Sequence, residues 1–200
     1  MENSVFRNEK MTPEKLLKFY KPPGKRIPEE RWEEILTNSV WPTKSSKIAV
    51  HVILSEGDQK EKIALVVNPT DRDREGKMGG IGFPTKEIIN GKTPFETAKL
   101  TVVNETNLRE FQIADKPISI RKNSREIIHI IFRGNAKFPP VKSKIVKDPD
   151  KGVWKVYFID PFRSIRIEFK GNGERIYKPV LDGRYVFKTH LGFLSEFLFG

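Results

Sequence analysis

The sequence predicts an α/β sandwich built on a mixed sheet. Three observations lead there. Apolar, strand-like runs lie on both sides of one central helical segment, beginning with KIAVHVILSE at 47–56. That central segment, Thr93 to Thr106, carries apolar residues at helical spacing. The chain ends in RYVFKTHLGFLSEFLFG, an amphipathic stretch suited to covering a sheet.

Taken in order, residues 1–46 read as a helical N-terminal extension and residues 47–200 as the main domain. Thr12-Pro13 supplies a helix cap and first turn for EKLLKFY, and KPPGKR at 21–26 breaks that helix. A second helix begins at Pro28, with Trp32, Ile35 and Leu36 on one face. Trp41-Pro42-Thr43-Lys44-Ser45-Ser46 reads as a linker. The extension is expected to pack on the domain; the alternative is an arm for a partner protein or for a homodimer.

In the main domain, 47–56 is apolar enough for a strand covered on both faces. GDQK at 57–60 is a turn and KIALVV at 62–67 the returning strand. PTDRDREGKMGGIGFP, 69–84, reads as a polar, glycine-rich loop. Further strands are expected at 110–119, 126–133, 153–159, 164–170 and 174–179, the last two joined by Gly171-Asn172-Gly173, a hairpin signal. PPVKSKIVKDPDKG, 139–152, reads as a basic excursion between strands. Leu191, Leu194, Phe197 and Leu198 share a helical register in the tail.

Composition bounds the chemistry. The net charge is +11; residues 1–46 hold nine basic and seven acidic residues, and 47–200 hold 28 and 19. The excess sits on the main domain, which should attract phosphates, nucleic acid or acidic partners, although solubility accounts for it equally well. The absence of cysteine excludes disulfides, thiolate metal sites and thiol nucleophiles. MENSVFRNEK lacks the apolar core of a signal peptide, and no apolar run reaches about 18 residues. A cytoplasmic protein with no membrane span is the expectation.

The segment FPTKEIINGKTPFETAKLTVVNETNL, 83–108, is laid out like a ligand loop followed by a helix. Gly76, Gly79, Gly80 and Gly82 would let backbone N–H groups turn toward a ligand. Thr93 caps the helix, Pro94 takes its first position, and Phe95, Ala98 and Val102 form its buried stripe. Thr101, Asn104 and Glu105 share another face, and Arg109 would pair with Glu105 if the last turn continued that far.

The element order and this spacing resemble the Nudix family. Its motif is Gly, five residues, Glu, seven residues, then Arg-Glu-apolar-any-Glu-Glu-any-Gly-apolar. Without gaps, the motif Gly falls at Lys86 and its first Glu at Lys92. The Arg-Glu pair falls at Leu100-Thr101, the Glu-Glu pair at Asn104-Glu105 and the last Gly at Asn107. The frame survives in Phe83-Pro84, Gly91-Lys92-Thr93-Pro94, Ala98, Val102 and Leu108. Of the charged motif positions only Glu105 is kept.

The resemblance implies a Nudix-like α/β/α sandwich with a mixed sheet. It also implies hydrolysis of nucleoside diphosphate derivatives with Mg²⁺ or Mn²⁺ held by motif glutamates. Mg²⁺ prefers several hard oxygen ligands. Thr101 and Asn104 present neutral oxygens, and Lys92 puts a cation where an acid belongs. Glu105 is thus the candidate catalytic and metal residue, with Glu87 as a second metal candidate. Lys86, Lys92 and Asn104 are candidate ligand-binding residues, the lysines pairing with phosphate. A rearranged active site would draw on Glu87, Glu96, Glu105, Glu110, Asp148, Asp150 or Asp160.

Three readings of function follow. The first is a divergent Nudix-like protein, weak or inactive as a hydrolase, that binds a nucleotide or other phosphate-bearing ligand with no certain cofactor. The second is an active Nudix hydrolase with a rearranged Mg²⁺ or Mn²⁺ site. The third is a scaffold for protein or nucleic acid, with Lys142, Lys144, Lys147 and Trp154 as a speculative nucleic-acid face. His51, His129 and His190 are isolated in sequence. His51 and His129 lie inside apolar strands and read as polar residues of a cleft or sheet edge, with a general base as the sharper alternative.

Overall fold

The computed structural model describes residues 12–40, 48–57, 62–72, 78–148, 152–170 and 176–200. In chain order the strands are β1 (Lys25–Arg26), β2 (Ile48–Ser55), β3 (Ile63–Arg72), β4 (Met78–Gly82), β5 (Thr85–Glu87), β6 (Phe111–Ile113) and β7 (Ser119–Lys122). They continue with β8 (Ile128–Ala136), β9 (Ser143–Asp148), β10 (Gly152–Ile159), β11 (Arg166–Lys170), β12 (Ile176–Leu181) and β13 (Arg184–Tyr185). The helices are α1 (Pro13–Phe19), α2 (Trp32–Thr37), α3 (Pro94–Thr106), α4 (Pro161–Ser164) and α5 (Lys188–Phe199).

Strand β2 organises the chain because its alternate residues feed two cores. Val50, Val52 and Leu54 belong to one, and Ile53 to the other; all are fully buried. Over the first face lies α3, which buries Ala98 and Val102 against β2, β3, β8 and β10. Over the second lie α1 and α5, which bury Leu17, Leu191, Phe193, Leu194 and Phe197. The result is an α/β/α sandwich. The sheet is mixed: β2 and β8 run parallel from Ile48↔Ile128 to Ser55↔Asn135, while β2 is antiparallel to β3 and β5.

Along the main sheet the order is β1-β7-β8-β2-β3-β10-β9. Beside β2 the sheet divides. Only Ser55 pairs with β3, at Ile63, whereas Ala49, Val50 and His51 pair with β5. Between them the Val52 N–H donates to the Pro84 carbonyl at 3.0 Å. A smaller sheet, β11-β12-β13, has its own ladder and reaches the main sheet through the Ile81↔Val186 bridge.

The N-terminal segment contributes to both cores. Leu17 sits in the α5 core and Trp32 in the α3 core, with Trp32 Nε1 donating to the Ile27 carbonyl at 2.8 Å. β1 extends the main sheet by pairing with β7. As expected, Thr12 and Thr93 cap α1 and α3, and α3 adds a full capping box with Glu96. A 3₁₀ turn, Glu29–Arg31, precedes α2.

Three sequence readings are corrected. Residues 69–84 do not form one loop: β3 runs on to Arg72, and β4 occupies Met78–Gly82. The 110–119 stretch is two short strands, β6 and β7, both paired with β8. The excursion at 139–152 contains β9, paired with β10. It reads as charged because β9 is an edge strand: Val146 is buried while Lys147 faces solvent, and edge lysines discourage further pairing. The short helix α4, capped by Asp160, is an added element. Gly171-Asn172-Gly173 and the linker at 41–46 lie outside the described residues, although β11 and β12 pair antiparallel up to Lys170↔Ile176.

Because Trp32 fills the α3 core and hydrogen-bonds within it, Trp32→Ala is expected to lower the unfolding free energy by about 3–5 kcal/mol in urea denaturation. A loss below about 1 kcal/mol would mean that the segment merely lies on the domain.

Candidate functional site

A half-open cleft of about 260 Å³ forms where the sheet divides. Its lining comes from β2 and β8 (His51, His129), β3 (Val66), the Gly82–Thr85 segment, α3 (Glu105) and the start of α5 (Phe187, Thr189, His190). The glycines of β4 allow α5 to reach this place. A Cβ on Gly82 would stand 2.5 Å from His190 Nδ1, and one on Gly80 would collide with the Phe187 ring. The Phe187 N–H is tied to the Ile81 carbonyl at 2.9 Å. Gly80 and Gly82 thus provide close packing for α5, a role different from the ligand-turning one expected from sequence. Gly76 lies outside the described residues.

All three histidines of the chain line this cleft. Their donor and acceptor roles follow from their partners. At the β7–β8 turn, Asn123 Oδ1 accepts from the N–H groups of Arg125 (2.9 Å) and Ile127 (3.0 Å). The Asn123 amide nitrogen is therefore the group that faces His129 Nε2, at 3.1 Å, and it donates. His129 Nε2 must then be an acceptor, so the proton is on His129 Nδ1, which donates to His51 Nε2 at 3.0 Å. His51 in turn carries its proton on Nδ1 and donates to Thr85 Oγ1 at 3.0 Å. Thr85 Oγ1 completes the chain by donating to the Phe83 carbonyl at 2.9 Å. The chain runs in one direction, because reversing any link would set two donors against each other.

His190 sits beside this chain, its ring 5.1 Å from that of His51 and stacked on Phe83. Its Nδ1 accepts from the Phe83 N–H at 2.7 Å, which leaves the proton on Nε2. Burial holds all three imidazoles neutral. It pushes His190 down to about 3, assisted by His129, and lowers His51 well below the ordinary value, assisted by His190 and His129. Burial lowers His129 as well. Nearby charges are already committed: Arg121, opposite His129 in the sheet, pairs with Glu196 of α5 at 3.2 Å.

Of the residues singled out from the motif, Glu105 reaches the cleft, where it is buried and its Oε2 accepts from the Thr85 N–H at 2.9 Å. Thr101 is buried too, but its hydroxyl donates back to the Thr97 carbonyl at 2.7 Å. Lys86, Glu87, Lys92 and Asn104 do not line the cleft. Glu87 is exposed on β5, and Asn107 ends α3 in the left-handed conformation, so Arg109 lies beyond the last turn. Glu96 is spent on the α3 cap and Asp160 on the α4 cap. Among the described residues no group of three or more His, Asp or Glu is arranged to hold a metal ion.

The basic stretch is less uniform than its sequence. Lys142 and Lys147 are exposed, but Lys144 leans over the Phe158 ring at 5.5 Å and reaches the Asn107 carbonyl at the end of α3 at 3.4 Å. Burial lowers its pKa. Trp154 falls in β10 opposite Val146, with its side chain outside the described residues. The histidine cluster is what sequence reasoning missed. Its only local signal was a histidine at the centre of each of two apolar strands.

No family model matches the chain, and no curated protein matches it. Two solved structures from Nitrosomonas europaea, each described as a NUDIX hydrolase, are similar to it. One is 15% identical with a TM-score of 0.43, covering 59% of this chain and 59% of that one. The other is 14% identical with a TM-score of 0.38, covering 57% and 72%. Likeness of this degree assigns neither family nor activity.

The neutral histidines set a pH dependence. Unfolded, each returns to the ordinary value of 6.5. Below that pH the unfolded chain binds protons that the folded chain refuses, so stability is complete above pH 6.5 and falls as the pH drops. For His190 the loss continues to about pH 3, at up to ~1.4 kcal/mol per pH unit. His190→Asn, which keeps an acceptor for the Phe83 N–H and cannot titrate, is expected to make the urea-measured decline shallower. An unchanged decline would contradict the assignment.

Proposed function

We propose that this chain is a divergent Nudix-like domain that binds a small ligand in the cleft and has lost metal-dependent hydrolysis. The carrying observation is the use to which α3 puts its side chains. Glu105 is buried and bonded to the Thr85 N–H, and Thr101 is bonded back into its own helix. Among the described residues lining the cleft, Glu105 is the single acidic one. Mg²⁺ or Mn²⁺ asks for several hard oxygens with negative charge between them. These residues do not fit such an ion.

A nucleotide or other phosphate-bearing ligand is the class that the net charge of +11 supports. Lys86 and Lys92 would meet its phosphates beyond the cleft lining, with Asn104 as a further polar contact. A scaffold for nucleic acid is the second reading, favoured by Lys142 and Lys147 standing exposed at the edge strand.

The test is a panel of nucleoside diphosphate derivatives assayed with Mg²⁺ and with Mn²⁺. Turnover is expected to stay at the metal-free background. Turnover that chelation abolishes and Glu105→Gln reduces at least tenfold would contradict the reading.

A further inference from the structure

We infer that a second pocket, at the opposite end of α5 from the histidine cleft, takes a small molecule with one carboxylate on a flat apolar body, and that Arg133 binds the carboxylate. This site is separate from the histidine cleft and does not rest on the reading given for it.

The pocket follows from side-chain alternation in the sheet. On the face covered by α5, Ile53 of β2 and Ile131 of β8 are buried in the α5 core. The next residues on that face are Ser55 of β2 and Arg133 and Asn135 of β8. Gln112 of β6 stands directly opposite Asn135 and shares its face. The sheet therefore turns polar near the last turn of α5, where Phe197 supplies the apolar wall. The half-open space between them is about 260 Å³.

The polar groups presented there suit an acceptor with negative charge. Asn135 Oδ1 accepts from the Gly57 N–H at 3.0 Å, so the Asn135 amide nitrogen is left to donate. Gln112 stands exposed beside it. Arg133 is exposed and makes no side-chain hydrogen bond or ion pair among the described residues. It is the one charged group among the described residues lining the pocket. Two neighbouring acids are committed elsewhere. Glu56 bonds Lys62 at 2.9 Å and the Phe138 N–H at 3.2 Å, and Glu196 bonds Arg121 and Ser119. A guanidinium offers paired N–H groups in one plane, which match the two oxygens of a carboxylate. A single negative charge also balances the single cation, whereas a phosphate dianion leaves one charge uncompensated.

Benzoate, benzamide and phenyl phosphate share a ring and differ in head group. Each is titrated near neutral pH into nitrogen-15 labelled protein. The Gly57 and Asn135 amides report on this pocket, and those of Phe83 and Thr85 on the histidine cleft. Benzoate is expected to shift the first pair and to bind at least about tenfold more tightly than benzamide, and more tightly than phenyl phosphate. The comparison of benzoate with benzamide reads the whole field at the site, including residues 58–61, which lie outside the described residues. Arg133→Gln should weaken benzoate about tenfold or more, the loss of one charge-assisted pair. Lys99→Gln removes the same charge from α3, on the opposite face of the sheet, and should leave the affinity unchanged. Should Arg133→Gln disturb the fold, Asn135→Asp keeps an acceptor for the Gly57 N–H, replaces the donor with negative charge and should abolish benzoate binding. Equal affinity for benzoate and benzamide, or equal weakening by Arg133→Gln and Lys99→Gln, overturns the proposal. Tighter binding of phenyl phosphate overturns the carboxylate assignment. Shifts confined to Phe83 and Thr85 overturn the second site and leave the reading of the histidine cleft standing.

Discussion

The direction of one hydrogen-bond chain governs the site. The β7–β8 turn uses Asn123 Oδ1 for its own backbone, and that fixes which way the amide nitrogen faces. From there each proton position is forced, through His129 and His51 to Thr85 and the Phe83 carbonyl. A buried polar network is stabilising only when every member is satisfied, and one broken link leaves a buried group costing roughly 1–3 kcal/mol. The arrangement therefore acts as a unit. It pins the β5 segment to β2 and β8, while His190 pins the same segment to α5 through the Phe83 N–H.

The segment 83–108 is organised by packing in the same way. The positions of 83–108 that shape the backbone are kept: Thr93 and Pro94 start α3, and Ala98 and Val102 bury it. Two threonine hydroxyls of α3 are satisfied within the helix. The hydroxyls of Thr101 and Thr106 bond back to carbonyls one turn earlier, at 2.7 and 2.6 Å, and both residues are fully buried. Such back-bonding satisfies the donor of a buried hydroxyl within its own helix. Glu105 keeps a role, as an acceptor that positions Thr85.

Much of the fold was legible because its signals are local. Thr93-Pro94 with Glu96 three residues after the cap announces α3, and the apolar register of Leu191, Leu194 and Phe197 announces α5. The misread elements fail for physical reasons. β4 looks like a loop because it is glycine-rich, and the demand for glycine comes from Phe187 and His190, more than 100 residues later in the chain. β9 looks like a charged excursion because an edge strand tolerates lysine. The site was the least legible part. His51 and His129 meet only through the parallel pairing of β2 with β8, a contact across 78 residues that no local spacing encodes. The lysines of the motif region, conspicuous in sequence, lie away from the cleft wall.

Nitrogen-15 chemical shifts of the three imidazole rings test the account most directly, because they report protonation and tautomer atom by atom. At neutral pH all three rings should be uncharged, with the proton on Nδ1 of His51 and His129 and on Nε2 of His190. A charged ring, or a proton on His190 Nδ1 or His129 Nε2, would contradict the account.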